Sequence, residues 1–259
     1  MPPSTPRCVR RALGRHGLAE SLRLAERLLL PTACLLCGAY SADDALVCGA
    51  CRSRWHRLPS PLCARCGQPV LVLAADDHLD CRLCAGWDDA LTRVRSAVWL
   101  EDGARGAVHR LKYEGWWRIT ESMAEAMRVL EPLTGDACLV AVPLAPKRLR
   151  HRGYNQSECL AAALARRMGI KAAPGLLARV RETPTQTALT PEGRAANVSG
   201  AFRARGLAAA ARGGSGYFVL VDDVFTTGAT LIAAARALHA AGAARVEAVT
   251  FARAPLPVT

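Results

Sequence analysis

One segment of fourteen residues limits the fold more than any other: residues 217–230 read YFVLVDDVFTTGAT. Its first five residues, Tyr217 to Val221, are all apolar and rich in aromatic and β-branched types. Such an unbroken run predicts a strand buried on both faces, as in a parallel sheet. The predicted strand ends on two carboxylates, Asp222 and Asp223, followed by a loop with Thr226, Thr227, Gly228, Ala229 and Thr230. Helical sequence then runs from about Leu231 to Ala241 and stops at Gly242, a natural residue to follow a helix. Gly228 lets the backbone turn tightly against a phosphate. Exposed N–H groups and threonine hydroxyls donate to it, and the helix dipole favours its charge. Carboxylates at the C-terminal edge of a strand sit where α/β sheets bind ligands. They accept hydrogen bonds from a diol and repel a second phosphate. One phosphate beside one diol describes a ribose 5-phosphate. No Gly-Lys-Ser/Thr follows, which excludes a P-loop.

The chain around this segment alternates. Ala137 to Val142 predicts a short strand ending at Pro143. Asn155 to Met168 carries apolar residues at helical spacing (Leu160, Ala161, Leu164, Ala165, Met168) and stops at Gly169. Leu176 to Val180 predicts a second strand and Val246 to Phe251 a last one. Between them, Thr183 to Gly206 reads as loop, about 25 residues long, and loops of that length are usually functional lids or disordered. Strand–helix alternation predicts an α/β domain over residues 91–259, a parallel sheet with right-handed crossovers.

Eight of the 11 cysteines fall into four C-x-x-C pairs within 51 residues: Cys34/Cys37, Cys48/Cys51, Cys63/Cys66 and Cys81/Cys84. Two intervening residues allow one tight turn to aim both thiolates at one tetrahedral ion, and two such turns complete the site. The pattern predicts a zinc module over residues 31–90 with two structural Zn²⁺ ions, each closed by four thiolates. Sequential pairing of neighbouring pairs is favoured over an interleaved cross-brace, because ten residues between the first two pairs suit a hairpin knuckle. The module is read first as a folding staple. Arg52, Arg54, Trp55, His56, Arg65 and Arg82 would also suit a docking surface. His56 and His78 read as exposed loop residues, and Cys8, Cys138 and Cys159 as ordinary small residues. Residues 1–30 read as a leader, with a short amphipathic helix over residues 17–30.

The net charge is +12, and an arginine-favouring composition accounts for part of it: only Lys112, Lys147 and Lys171 are lysines. From Pro143 to Arg212, however, 13 Lys and Arg face 3 Asp and Glu, a local excess of +10. This points to an anionic partner at that segment, whether a phosphorylated metabolite or a nucleic acid. No run reaches the roughly 18 consecutive apolar residues of a membrane helix, and no signal-peptide core follows the basic N-terminus, so a cytoplasmic location is expected.

Taken in order, the four C-x-x-C pairs, Lys112-Tyr113, the run from Val142 through Arg152-Gly153-Tyr154-Asn155-Gln156, the stretch from Pro184, Arg194 to Asn197, and DDVFTTGAT resemble the ComF family. These are competence-associated, phosphoribosyltransferase-like proteins with an N-terminal double zinc ribbon, and the resemblance spans roughly residues 28–253. It implies a type I phosphoribosyltransferase-like sheet. It also implies binding of phosphoribosyl pyrophosphate (PRPP) with Mg²⁺, and a role in DNA uptake or utilisation beside single-stranded DNA and DNA-processing proteins.

Carried onto this chain, Asp222 and Asp223 would hold the ribose hydroxyls and Thr226 to Thr230 the 5-phosphate. Pro143 to Lys147, with Arg148 and Arg152, would form the pyrophosphate loop. Thr183 to Asn197 would be the lid, and Arg150, Arg152 and Arg194 would neutralise leaving pyrophosphate. Trp116, Trp117 and Tyr154 are candidate stacking residues for a single strand, against the expectation that at least one of Trp116 and Trp117 packs on the sheet. Purine-salvage relatives carry an aspartate where this chain has Thr226, which argues against base-assisted transfer to a purine. Two readings stay open: a PRPP-binding protein that handles DNA, and an active phosphoribosyltransferase of nucleotide metabolism with an unidentified acceptor.

Overall fold

The computed structural model describes residues 33–40, 45–70, 81, 83–181, 200–207 and 216–255. The predicted leader helix, His78, Arg82, Arg194 and the predicted lid lie outside these residues.

The core is a sheet of five parallel strands: β1 (Arg93–Trp99), β2 (Cys138–Ala141), β3 (Lys171–Ala172), β6 (Tyr217–Phe225) and β7 (Arg245–Arg253). Their spatial order is β1-β7-β6-β2-β3. Strand β6 is central and alternates faces as a strand must. Val219 and Val221 pack with Leu111, Met123, Leu160 and Leu164, from helices α2 (Asp102–Tyr113), α3 (Thr120–Met127) and α5 (Gln156–Met168). Phe218 and Leu220 face the other way, onto Leu231, Ala234, Ala235 and Leu238 of α6 (Ala229–Ala240). Because both faces are covered, the strand reads as a continuous apolar run rather than an alternating one. Among the described residues, no helix is long and apolar enough to cross a membrane.

Several elements follow the sequence closely. Helix α5 starts where Asn155 caps it, its side chain accepting from the Ser157 N–H at 3.1 Å, and it ends at Gly169 with φ +65°. Other elements differ. Strand β6 does not end on the acids but runs on through Phe225, paired with Arg253 of β7. The segment around Leu176 is not a strand of the main sheet. Leu177–Arg179 (β4) pairs antiparallel with Phe202–Ala204 (β5), inside the stretch predicted to be loop. This small ribbon covers α6 through Leu177 and Phe202. The apolar residues of β4 therefore satisfy an outer layer, and a strand pattern alone does not say to which sheet it belongs.

The cysteine-rich segment packs directly on the sheet. Trp55, which follows the short helix α1 (Gly49–Ser53), meets Phe251 of β7 edge-on at 4.9 Å. Its neighbours Cys34, Val47 and Cys51 join the same apolar cluster as Val98 and Ala104. The backbone adds contacts along edge strand β1: the Trp99 N–H donates to His56 at 2.8 Å, and the Val94 N–H to Arg65 at 2.7 Å.

Candidate functional site

The two strands β2 and β6 part company at their C-terminal ends. Chain leaving β2 enters α4 (Pro146–Arg152) and then α5 on one face, whereas chain leaving β6 enters α6 on the other. Parallel sheets bind ligands at such a switch point, because the diverging connections leave a crevice. A cleft of about 780 Å³ opens there. Lys112, Pro143, Lys147, Arg148, Arg152, Asp222, Asp223, Thr226, Gly228 and Thr230 all line it. Sequence reasoning placed every one of these at the site except Lys112.

The acids form the floor. Register with β2 ends at Val221, so Asp222 and Asp223 lie beyond the last paired residue on that side. Asp223 is buried, and Lys112 Nζ lies 2.6 Å from its Oδ2. Burial alone raises a carboxyl, but the lysine charge and hydrogen bond outweigh it and hold Asp223 below the usual carboxylate range. Lys112 is itself half-buried; desolvation lowers the ammonium, but Asp223, with Asp222 nearby, outweighs it and raises the ammonium above its ordinary value. Asp222 accepts from Ser157 Oγ at 2.7 Å and from the Asp223 N–H at 2.9 Å. It opens partly to the cleft yet sits deep among protein atoms. That desolvation, with Asp223 charged beside it, pushes its carboxyl up to about 7.

The wall of the cleft beyond the acids is built by Gly228, which takes φ +85° and starts α6. The first N–H groups of a helix have no partner within it, so they point at whatever anion occupies the loop. Opposite lies α4, with Pro146 at its first turn and Lys147, Arg148, Arg150 and Arg152 along it. Of the predicted pyrophosphate loop, Pro143 to Lys147, only Pro143 to Ala145 is loop, and the rest is the start of α4. A proline opens helices well, and its cations ride a helix instead of a loop. Arg152 is fixed in place: Nη1 donates to Gln156 Oε1 at 2.5 Å, and the guanidinium lies 5.7 Å from the Tyr113 ring centroid.

The 152–156 motif mostly builds this geometry. Gly153 takes φ +80° to end α4, and Asn155 Nδ2 donates to the Val142 carbonyl at 3.1 Å. Tyr154 donates to the Leu111 carbonyl and is buried, so it is not a stacking residue. Its hydroxyl had to find a partner at that depth, and the end of α2 supplies one. Trp116 and Trp117 differ from expectation in the other direction: both are exposed, 45% and 37%, on the turn that follows α2. Tyr113 beside them is 71% exposed and borders the cleft.

The eight paired cysteines gather into two groups, Cys34/Cys37/Cys48/Cys51 and Cys63/Cys66/Cys81/Cys84. Neighbouring pairs thus combine in sequence and are not interleaved. Within each group the sulfurs lie within 4.8 Å of one another, and the Cys37–Cys48, Cys63–Cys84 and Cys66–Cys81 pairs are 3.8, 3.7 and 3.5 Å apart. A tetrahedral ion with Zn–S bonds of roughly 2.3 Å separates its sulfurs by about 3.8 Å, so both groups fit structural zinc. Cys34 Sγ also accepts N–H groups from Leu36 and Cys48. Burial pushes its thiol up, but these donors prevail and bring it down to about 6. Of the candidate docking residues, Trp55 is buried and Arg65 is spent on the carbonyls of Trp87 and Asp88. Both serve the fold. Cys138 and Cys159 form no disulfide and lie apart from either group, and His56 is exposed near Glu101.

Comparison with known proteins agrees with this geometry. Residues 25–85 match the double zinc ribbon domain, and residues 155–256 match the phosphoribosyl transferase domain. The chain is 31% identical to the DNA utilization protein YhgH of Escherichia coli over 229 residues, 85% of this chain and 96% of the relative. It is 28% identical to competence protein ComFC of Bacillus subtilis over 242 residues, covering 85% and 94%. It is 26% identical to competence protein F of Haemophilus influenzae over 220 residues, covering 80% and 90%. With its paired cysteine clusters docked on a five-stranded parallel sheet and its acid pair and threonine loop meeting in one cleft, the chain belongs to the ComF family of phosphoribosyltransferase-like proteins.

Proposed function

We propose that the chain binds PRPP with Mg²⁺ in this cleft and acts on single-stranded DNA during DNA uptake or utilisation, in the cytoplasm. One observation carries the reading. The carboxylate pair, the start of α6 and the cationic α4 converge on a single cleft, in the arrangement a diol, a phosphate and a pyrophosphate require. Asp222 and Asp223 would hold the ribose hydroxyls. Thr226 to Thr230 would hold the 5-phosphate, and Pro143, Lys147, Arg148 and Arg152 the pyrophosphate, joined by Arg194. Mg²⁺ would arrive with the ligand and screen its pyrophosphate. The DNA role rests on the names of the relatives and on three exposed aromatics where bases could stack, Tyr113 at the cleft's border and Trp116 and Trp117 on the turn that follows it. Zinc in the two cysteine groups would be structural, since four thiolates leave no open position.

Three cations on one short helix facing the pyrophosphate position favour a second reading, an active transferase. Charge developing on a departing pyrophosphate is stabilised by such preorganised donors. No carboxylate stands at Thr226 to activate a base, so the acceptor would bring its own nucleophile. Calorimetric titration of the full chain with Mg-PRPP, followed by assay for released pyrophosphate, tests both. Saturable binding without pyrophosphate release supports the binding role. Release stimulated by an added acceptor supports the transferase. No binding removes both.

A further inference from the structure

We propose that Trp87 is a positioning residue for the phosphate loop, and that through it the second cysteine cluster sets the shape of the ligand cleft. The inference rests on the reading of that cleft as a phosphoribosyl site.

The contact is close. A Cβ added to Gly228 would fall 2.7 Å from Trp87 Cζ2 and 3.2 Å from Cη2, so the backbone that starts α6 lies directly against the indole. Glycine is needed there twice over, for φ +85° and for this approach. Trp87 also meets Phe225, the last residue before the loop, with ring centroids 5.9 Å apart. Arg253 also packs on Phe225, its guanidinium 4.3 Å from the ring centroid. Both neighbours of Phe225 are tied to the second cluster. Arg253 is buried and donates to the Cys66 carbonyl at 2.7 Å and to Gln68 Oε1 at 2.9 Å. Trp87 follows Cys84 by three residues, and its N–H donates to the Cys84 carbonyl at 3.1 Å. Arg65, between Cys63 and Cys66, donates to the Trp87 and Asp88 carbonyls, and Asp88 pairs with Arg236 of α6 at 3.0 Å.

The second cluster therefore grips the loop at its entry, at its glycine and along its helix. The first cluster points elsewhere, through Trp55 to Phe251 and Gly103, and through Leu36 to Gly106 of α2. A phosphate is bound by N–H groups whose directions the loop backbone fixes, so a wall that fixes the backbone fixes the affinity without touching the ligand.

The test uses full-length protein with Trp87→Ala and Trp87→Phe. Trp87→Ala should weaken Mg-PRPP binding by about tenfold or more, as a misplaced binding group does, and Trp87→Phe should recover most of it. Zinc content should stay at the wild-type value in both. Without any ligand, hydrogen exchange of the 228–231 amides should quicken in Trp87→Ala while that of the β2 amides stays unchanged. Cys81→Ser should reproduce this pattern and Cys37→Ser should not. Unchanged exchange at 228–231 in Trp87→Ala overturns the proposal, and so do equal effects of the two cysteine variants. If exchange responds as expected but wild type binds no Mg-PRPP, the positioning role stands and the phosphoribosyl reading falls.

Discussion

Lys112 and Asp223 form an ion pair on the floor of the cleft, Nζ to Oδ2 at 2.6 Å, with the carboxylate buried and the ammonium half-buried. Neither partner is stable there alone. Asp223→Asn leaves a half-buried ammonium without its nearest partner and should cost about 1–3 kcal/mol of folding stability. Lys112→Met leaves the adjacent carboxylates facing one another and should also destabilise the chain. The double variant removes both charges and should recover much of the loss, giving a coupling energy that urea denaturation of the four proteins measures. Simple additivity of the two costs would show that the pair does not act as a unit.

Asp222 gives the site a pH dependence of opposite sign to its neighbour. Its carboxyl is raised to about 7 by burial and by Asp223, so the native state holds this proton more tightly than the unfolded chain. The stability it contributes is complete below about pH 4, the ordinary carboxyl range, and is lost as pH rises towards 7. Asp222→Asn cannot ionise. The variant should therefore gain on wild type across that window, by on the order of 1 kcal/mol once partial exposure is allowed for. Melting temperatures of both proteins from pH 4 to 8 give the difference curve. A difference that is flat with pH would show that Asp222 titrates normally. Asp223, lowered by Lys112, contributes stability that is lost only as pH falls below the ordinary range.

Cysteine spacing and the 217–230 segment carried most of the legible information. Paired thiols declare their chemistry through fixed short spacing, and a buried strand that ends in acids and threonines declares a ligand edge. The reach of β6 was harder to see. The sequence reads as a strand that ends on Asp222 and Asp223, but β7 extends alongside and supplies partners up to Phe225. Strand β5 was missed for a similar reason, since three residues stabilised by α6 leave little local pattern. Lys112 went unrecognised as a site residue because its partner lies more than a hundred positions away. One signal was present: of three lysines in an arginine-rich chain, Lys112 and Lys147 both line the cleft. A compact ammonium fits a space between carboxylates that a planar guanidinium does not. Tyr154 shows the converse, because an aromatic in a basic segment looks like a stacking platform until its hydroxyl is found on Leu111.

The cysteine groups should hold about two zinc ions per chain. Because Cys34, Val47, Cys51 and Trp55 share a core with the sheet, metal removal should lower the melting temperature of the whole chain in one transition. Trp55→Ala, which opens a cavity against Phe251, should cost about 3–5 kcal/mol with zinc still bound. Metal analysis and calorimetry check both statements. Two separate transitions would mean that the ribbon segment folds independently of the sheet.

The nucleic-acid reading makes the sharpest demand on the surface. If a single strand runs along the cleft mouth, its phosphates meet α4 and its bases meet Tyr113, Trp116 and Trp117. Binding should then weaken steeply with salt, because each neutralised phosphate releases condensed counterions. Arg148→Glu with Arg150→Glu should lower the slope of log affinity against log salt by about 1.4, the value for two contacts on a single strand. Trp116→Ala with Trp117→Ala should cost roughly 1–3 kcal/mol per base stacked, and it should leave the salt slope nearly unchanged, because stacking releases no ions. Arg148 also lines the cleft where PRPP would sit, so Mg-PRPP should compete with the strand in wild type. Fluorescence titration of a labelled oligonucleotide at four salt concentrations, with and without Mg-PRPP, separates these contributions. Binding that ignores salt, or a charge reversal that leaves the slope intact, would place any DNA contact away from α4.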